Sequence, residues 1–184
     1  MATSQNLRQA ARVLDTGGVI AYPTEGVFGL GCLADNMKAV DRILEIKSRD
    51  PAMGLVVIVS RPEQIEEWVD VPIESLSLKS SDERPVTWIV PATDEAPQWI
   101  RGGHAGVAVR QTTHPIANAL CAAVDAPLVS TSANISGHPP ARNSFVLRRI
   151  FGSLVDYIVP GECGPAENPS EIRDIKTGKV LRTA

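Results

Sequence analysis

Apolar positions recur along this chain in two patterns. Leu7, Ala10, Ala11 and Leu14 share one face at helical spacing, which predicts a helix over 5–15, capped by Ser4 and stopped by Gly17-Gly18. Val40, Ile43, Leu44 and Lys47 share a face of a second helix, capped by Asp35 or Asn36. Between such stretches lie short continuous apolar runs, rich in β-branched residues. The runs 19–22 (ended by Pro23), 54–59, 86–90, 106–110 and 127–129 read as strands. Ser60-Arg61-Pro62-Glu63 matches a capping box that opens a helix through Trp68. Further helices are predicted over 115–124 and 144–151, and a hairpin around Lys176-Thr177-Gly178-Lys179. Short strands mixed with helices predict an α/β fold: one domain over 1–184, with a mixed parallel/antiparallel sheet and flanking helices.

Composition narrows the function classes. The chain has 184 residues, 43% hydrophobic and 21% charged, which suits a globular protein with a sizeable core. No run approaches a membrane span, and Gln5, Asn6, Arg8, Gln9 and Arg12 interrupt any signal-peptide core, so the expected location is cytoplasmic. Cys32, Cys121 and Cys163 are odd in number and far apart, which argues against a disulfide framework, and no Cys-x-x-Cys spacing suggests a structural zinc. Cys121, in an apolar helical run, reads as core. His104, His114 and His138 show no pairing, and His114, before Pro115, reads as capping or packing. The net charge of −3 hides an asymmetry: 63–95 holds nine acids against two bases, Lys79 and Arg84, so the rest of the chain is net positive. A moderately basic face of this kind can attract a nucleotide or an RNA backbone, or be simply solvated.

The chemistry concentrates at strand ends. Ser130-Thr131-Ser132-Ala133-Asn134-Ile135-Ser136-Gly137 follows a buried run and crowds hydroxyls, an amide and a glycine together. Such a loop can converge on an oxyanion, or can be a hydroxyl-rich turn capping the next element. Lys47 and Arg49 flank Ser48 at a helix end, where cations complement the helix dipole or form a phosphate or carboxylate clamp. Gly26-Val27-Phe28-Gly29-Leu30-Gly31 has the wrong spacing for a dinucleotide fingerprint and no Gly-Lys-Ser/Thr follows, so its glycines are expected to allow tight turns or close strand packing. Any ATP would therefore bind without a P-loop. Tyr22-Pro23-Thr24-Glu25 is a polar turn at a strand end, where open α/β sheets place ligands.

In order along the chain come Tyr22-Pro23-Thr24-Glu25 with Phe28-Gly29-Leu30-Gly31-Cys32, Lys47-x-Arg49, Val107-Ala108-Val109-Arg110 with His114-Pro115, the 130–137 loop, Asn168-Pro169-Ser170, and Leu181-Arg182. This succession resembles the YrdC-like family in its short, threonylcarbamoyl-AMP synthase form, across nearly the whole chain. The resemblance implies a twisted α/β fold with a concave ligand face. It also implies a nucleotidyltransferase activity: L-threonine, bicarbonate or CO2, and ATP give threonylcarbamoyl-adenylate and pyrophosphate. The product would feed modification of the tRNA adenosine beside the anticodon, through separate partner proteins. Thr24, Arg110, Ser130 and Ser170 would then hold threonine, with Arg110 matched to its carboxylate. Lys47, Arg49, Ser132, Asn134 and Arg182 would hold ATP phosphates or the carbamate, and Mg²⁺ would travel with ATP. Thr24 and Ser170 equally suit turn caps, and Arg182 a hairpin surface charge.

Some positions depart from the family pattern. Asp82-Glu83-Arg84-Pro85 stands where Trp-Pro-Gly-Pro is usual, Asp50-Pro51 follows Arg49 where proline alone is usual, and Met53 stands where the family often has a polar or basic residue. Asp50 could pair with Arg49 in competition with phosphate. Two other readings stay open at this level: an RNA-binding or ribosome-maturation protein that uses the concave face without catalysis, and a carbamoyl-adenylate enzyme like the YrdC-like domain of hydrogenase-maturation proteins. The latter carry zinc-finger modules whose cysteine pairs are missing here.

Overall fold

The computed structural model describes residues 2–183. In chain order the elements are α1 (Ser4–Asp15), β1 (Ile20–Pro23), β2 (Phe28–Gly31), α2 (Met37–Lys47), β3 (Val56–Val59), β4 (Val86–Pro91), α3 (Gln98–Arg101), β5 (Gly106–Gln111), α4 (Pro115–Val124), β6 (Leu128–Val129), β7 (Thr131–Ser132), α5 (Ser144–Phe151), β8 (Tyr157–Ile158), β9 (Glu171–Asp174) and β10 (Val180–Arg182). The expected α/β arrangement is present, with its mixed pairing divided between two sheets. One has the order β7-β2-β1-β8 and the other β10-β9-β4-β5-β3-β6. Parallel pairs (β1 with β8, β3 with β5, β4 with β9) stand among antiparallel ones, alternating with them in the six-stranded sheet. The sheets meet where Val129 N–H donates to the Cys32 carbonyl at 3.0 Å and Leu33 bridges Leu128.

Burial explains most of these elements. Ala10 and Leu14 of α1 pack with Ile20, Tyr22, Leu120 and Cys121 in one apolar cluster. Val40, Ile43 and Leu44 of α2 join Val57, Val59, Val107 and Val109 in the other. Central strands β1 and β3 are buried on both faces, as their unbroken apolar runs require. Among the described residues, no helix is long and apolar enough to cross a membrane.

The structure amends several local expectations. Thr3, not Ser4, caps α1, in a reciprocal bond pair with Asn6. Asn36 caps α2 by accepting from Ala39 N–H at 3.1 Å. Residues 62–68 form a 3-10 segment rather than an α-helix, and the reciprocal cap comes from Gln64, whose Oε1 accepts from Ser60 N–H at 2.8 Å. The glycine run 26–31 is largely a strand. A Cβ on Gly31 would lie 2.4 Å from the Val129 carbonyl oxygen and 2.7 Å from the Tyr22 ring, so close packing rather than turning requires that glycine. His114 is buried without a side-chain cap bond; its Nε2 lies 3.1 Å from the Glu162 carbonyl oxygen.

Candidate active site

Segments from across the chain converge on one cavity of about 420 Å³, among them the β1–β2 turn, the residues after α2, β5, the loop after β6, residues 168–170 before β9, and β10. Of the nine sequence-selected residues, Thr24, Arg49, Arg110, Ser130, Ser132, Asn134, Ser170 and Arg182 line it. Lys47 does not.

Lys47 and Arg49 part company because Ser48 adopts the left-handed conformation at the end of α2, with φ 49°. Lys47 turns inward, 3% exposed. Its Nζ donates to the Ser132 carbonyl, to the Asn134 carbonyl at 2.8 Å and to Asn134 Oδ1 at 2.9 Å. Burial, then the nearby Arg49 charge, lowers its pKa to about 8. The lysine is thus a pillar beneath the 130–137 loop. Above it, Ser132 Oγ donates to Asn134 Oδ1 at 2.6 Å, and Asn134 Nδ2 donates to the His138 carbonyl at 2.9 Å. This network holds the loop open toward the cavity.

Arg49 reaches the cavity wall, held by a single bond from Nη2 to the Gly54 carbonyl at 3.0 Å. Burial, then Arg182, lowers its pKa. Asp50 does not pair with it: the Asp50 carboxylate accepts from Ala52 N–H at 2.9 Å, capping the short turn that follows. The expected competition with phosphate is therefore absent in this geometry, and Met53 is 58% exposed. Arg182 donates from Nη2 to the Ser170 carbonyl at 2.8 Å. Ser170 Oγ lies 2.8 Å from Thr87 Oγ1, and Thr24 Oγ1 donates to the Val27 carbonyl at 2.8 Å, so both hydroxyls also serve as local braces.

Two lining residues escaped sequence reasoning. Arg142, in the loop leading to α5, donates from Nη2 to the Glu167 carbonyl at 2.6 Å. Nothing in its local sequence separates it from a surface arginine. Glu25 sits inside the quoted Tyr-Pro-Thr-Glu motif, and that adjacency was the available signal. It is the one acid lining the cavity among the described residues, and it is 1% exposed. Its Oε1 accepts from Thr112 Oγ1 at 2.7 Å and Thr113 N–H at 3.2 Å, and its Oε2 stands 3.5 Å from Arg110 Nη2. Burial disfavours the charged form, but Arg110 and these donors outweigh it and hold the Glu25 pKa below the usual carboxylate value.

The cavity is therefore electrically divided. Arg110 is countered by Glu25. Among the described residues, Arg49, Arg142 and Arg182 have no carboxylate within 4.0 Å. Guanidiniums without a carboxylate partner suit a multiply charged anion, and a paired one suits a single carboxylate. A larger hollow of about 840 Å³ shares Pro85, Asn168 and Pro169 with the cavity. Its bases Lys79, Arg84 and Arg173 are matched by Glu83, Glu167 and Glu171, so it lacks this cationic bias. Among the described residues no cluster of three or more His, Cys, Asp or Glu could hold a metal ion.

Comparison with known proteins agrees with this architecture. Residues 12–184 match the Sua5, YciO and YrdC family, described as "Telomere recombination". A protein of Xanthomonas axonopodis pv. citri named threonylcarbamoyl-AMP synthase is 45% identical over 186 residues, covering 99% of this chain and 100% of its own length. The crystal structure of P. abyssi Sua5 complexed with L-threonine superposes with TM-score 0.85 at 31% identity, covering 96% of this chain. This chain spans about half of that protein, 53%. The crystal structure of E. coli YciO, with TM-score 0.82 over 98% of this chain and 89% of its own, is 24% identical and speaks to the fold alone. On the family match and the near full-length relatives, this chain belongs to the Sua5/YciO/YrdC family.

Proposed function

We propose that this protein is a threonylcarbamoyl-AMP synthase, joining L-threonine, bicarbonate or CO2, and ATP into threonylcarbamoyl-adenylate and pyrophosphate. The observation that carries the proposal is the unequal charge balance within one cavity: Arg110 is neutralised by a buried carboxylate, while Arg49 and its neighbour Arg182, with Arg142 elsewhere on the wall, have none within 4.0 Å among the described residues. It is supported by near full-length relatives bearing that name and by a threonine complex of a family member.

The chemistry follows from positioning. The neutral threonine amine adds to CO2, losing a proton to form an N-carboxylate; starting from bicarbonate, water leaves. The carbamate oxygen then forms a bond to the α-phosphorus of ATP as the bond to pyrophosphate breaks, which makes the enzyme a nucleotidyltransferase. No protein nucleophile is required, so catalysis rests on orientation and on neutralising charge. Arg110 receives the threonine carboxylate, with Thr24, Ser130 and Ser170 around it. Arg49 and Arg182 receive phosphate oxygens, and Ser132 and Asn134 face the reacting groups. Lys47 acts from beneath, by fixing the Ser132–Asn134 backbone. Mg²⁺ would be held by phosphates and water, because the lining acid Glu25 is committed to Arg110. Consumption of the adenylate in tRNA modification by downstream transfer proteins belongs to the same proposal. No observation favours the alternative of an RNA-binding protein without catalysis.

The test is one incubation with ATP, Mg²⁺, bicarbonate and L-threonine, following pyrophosphate release and the adenylate by mass spectrometry. Product that depends on both threonine and bicarbonate is expected. Folded protein that yields none, and binds neither threonine nor ATP, would overturn the proposal.

A further inference from the structure

The deepest charge in the cavity belongs to a residue with no place in the scheme above. Glu25 is fixed from two sides. Thr112 and Thr113, just beyond β5, hold its Oε1 through donors at 2.7 and 3.2 Å. Its own carbonyl accepts from Ala166 N–H at 2.8 Å. Its Oε2 is buried without any hydrogen-bond partner and faces Arg110 at 3.5 Å. The fold thus commits a fully buried carboxylate to one arginine and leaves Arg49, Arg142 and Arg182 unmatched among the described residues.

A bare guanidinium does not tell a carboxylate from a phosphate, since both accept its paired donors. On Coulomb grounds alone the more highly charged anion wins. Were all four arginines uncountered, pyrophosphate or the ATP tail would compete for Arg110. A buried anion beside Arg110 changes that competition, because its repulsion grows with ligand charge. Free L-threonine arrives as a zwitterion of zero net charge and meets none of that repulsion; its amine sheds the proton only as the reaction begins. A polyphosphate gains nothing at a neutral pair.

We infer that Glu25 sorts the two ligands: by neutralising Arg110 it reserves that arginine for the amino-acid carboxylate and leaves polyphosphate to the neighbouring uncountered pair, Arg49 and Arg182. The inference rests on the proposed function. Glu25 is a positioning residue in this account, since Oε2 is inaccessible and meets the ligand only through Arg110.

The experiment measures Kd values for pyrophosphate and L-threonine by calorimetry on the full chain, singly and together, for wild type, E25Q, E25D and R110Q. In wild type the two ligands bind together, and saturating pyrophosphate moves the threonine Kd by less than about threefold. In E25Q, which keeps the Oε1 acceptor but not the charge, pyrophosphate binds about tenfold or more tightly and competes with threonine. E25D, which retains the charge, restores simultaneous binding; a purely structural role would not be rescued by charge. R110Q keeps the inference testable if E25Q does not fold. It should raise the threonine Kd by roughly a hundredfold while leaving the pyrophosphate Kd within about twofold. Pyrophosphate affinity that falls in R110Q, or simultaneous binding that persists in folded E25Q, overturns the sorting role while leaving the synthase proposal standing. Wild-type protein that binds neither ligand overturns both.

Discussion

The cavity wall uses the same residue type in opposite ways. Arg110 lies against the buried Glu25 and is largely shielded, its side chain 11% exposed. Arg49, Arg142 and Arg182 are instead each held by a single backbone carbonyl, at Gly54, Glu167 and Ser170. A carbonyl orients a guanidinium without cancelling its charge; a carboxylate does both. The difference shows how one fold can offer both a weak, charge-balanced site and a strong, charge-seeking one within about 420 Å³. Lys47 and Arg49 repeat the contrast over three residues, with a lysine spent on internal oxygens and an arginine left for a ligand.

The sharpest way to break this contrast is Arg49→Ala. With its charge gone from the polyphosphate site, adenylate formation should fall by roughly a thousandfold, with a melting temperature close to wild type. Retention of wild-type turnover would show that the unpaired arginines are a solvated surface. Lys47→Met tests the internal side. The Ser132 carbonyl keeps its bond from Asn134 N–H, but leaving the Asn134 carbonyl without its lysine donor should cost about 2 kcal/mol of stability at pH 7, read from denaturant melts. The sign of its pH dependence follows from the lowered lysine pKa of about 8. Between there and the unfolded value near 10.5, the unfolded chain binds the proton that the folded chain has released, so wild-type stability gains with rising pH. The variant lacks that gain, so its deficit should widen across this window; a flat deficit would mean that Lys47 titrates normally. The smallest effect belongs to Asp50→Ala. Its carboxylate caps Ala52 rather than opposing Arg49, so the KM for ATP should stay within about twofold of wild type, with about 0.5 kcal/mol lost from the turn. A several-fold drop in that KM would place Asp50 in competition with phosphate after all.

How far these features were legible in the sequence depends on the range of the interactions behind them. The bounds of α4 and α5 follow from local chemistry: Pro115 at the first turn of one, and Asn143 accepting from Val146 N–H at 2.9 Å at the start of the other. Strand β2 was hidden because two of its four residues are glycine, and only the distant Tyr22 ring and Val129 carbonyl explain them. The two-residue strands β7 and β8 owe their existence to partners far along the chain. In the cavity, the hydroxyl loop and the arginines could be picked by residue type, but charge balance could not. The Glu25–Arg110 pairing and the inward turn of Lys47 are set by tertiary geometry, the latter by one left-handed residue, Ser48.

The strand pairing has a kinetic consequence. β1 finds its parallel partner β8 near the far end of the chain, and β4 finds β9 only after three helices and several strands intervene. Closing loops of that length is slow, so folding should be governed by these late parallel contacts. The cavity takes its walls from both ends of the sequence, Thr24 to Arg182, and so it should be among the last features to form. A molecule that bridges those walls binds the finished fold and not its precursors. Its concentration should therefore raise apparent stability by mass action, so that substrate supply also helps to maintain the folded protein.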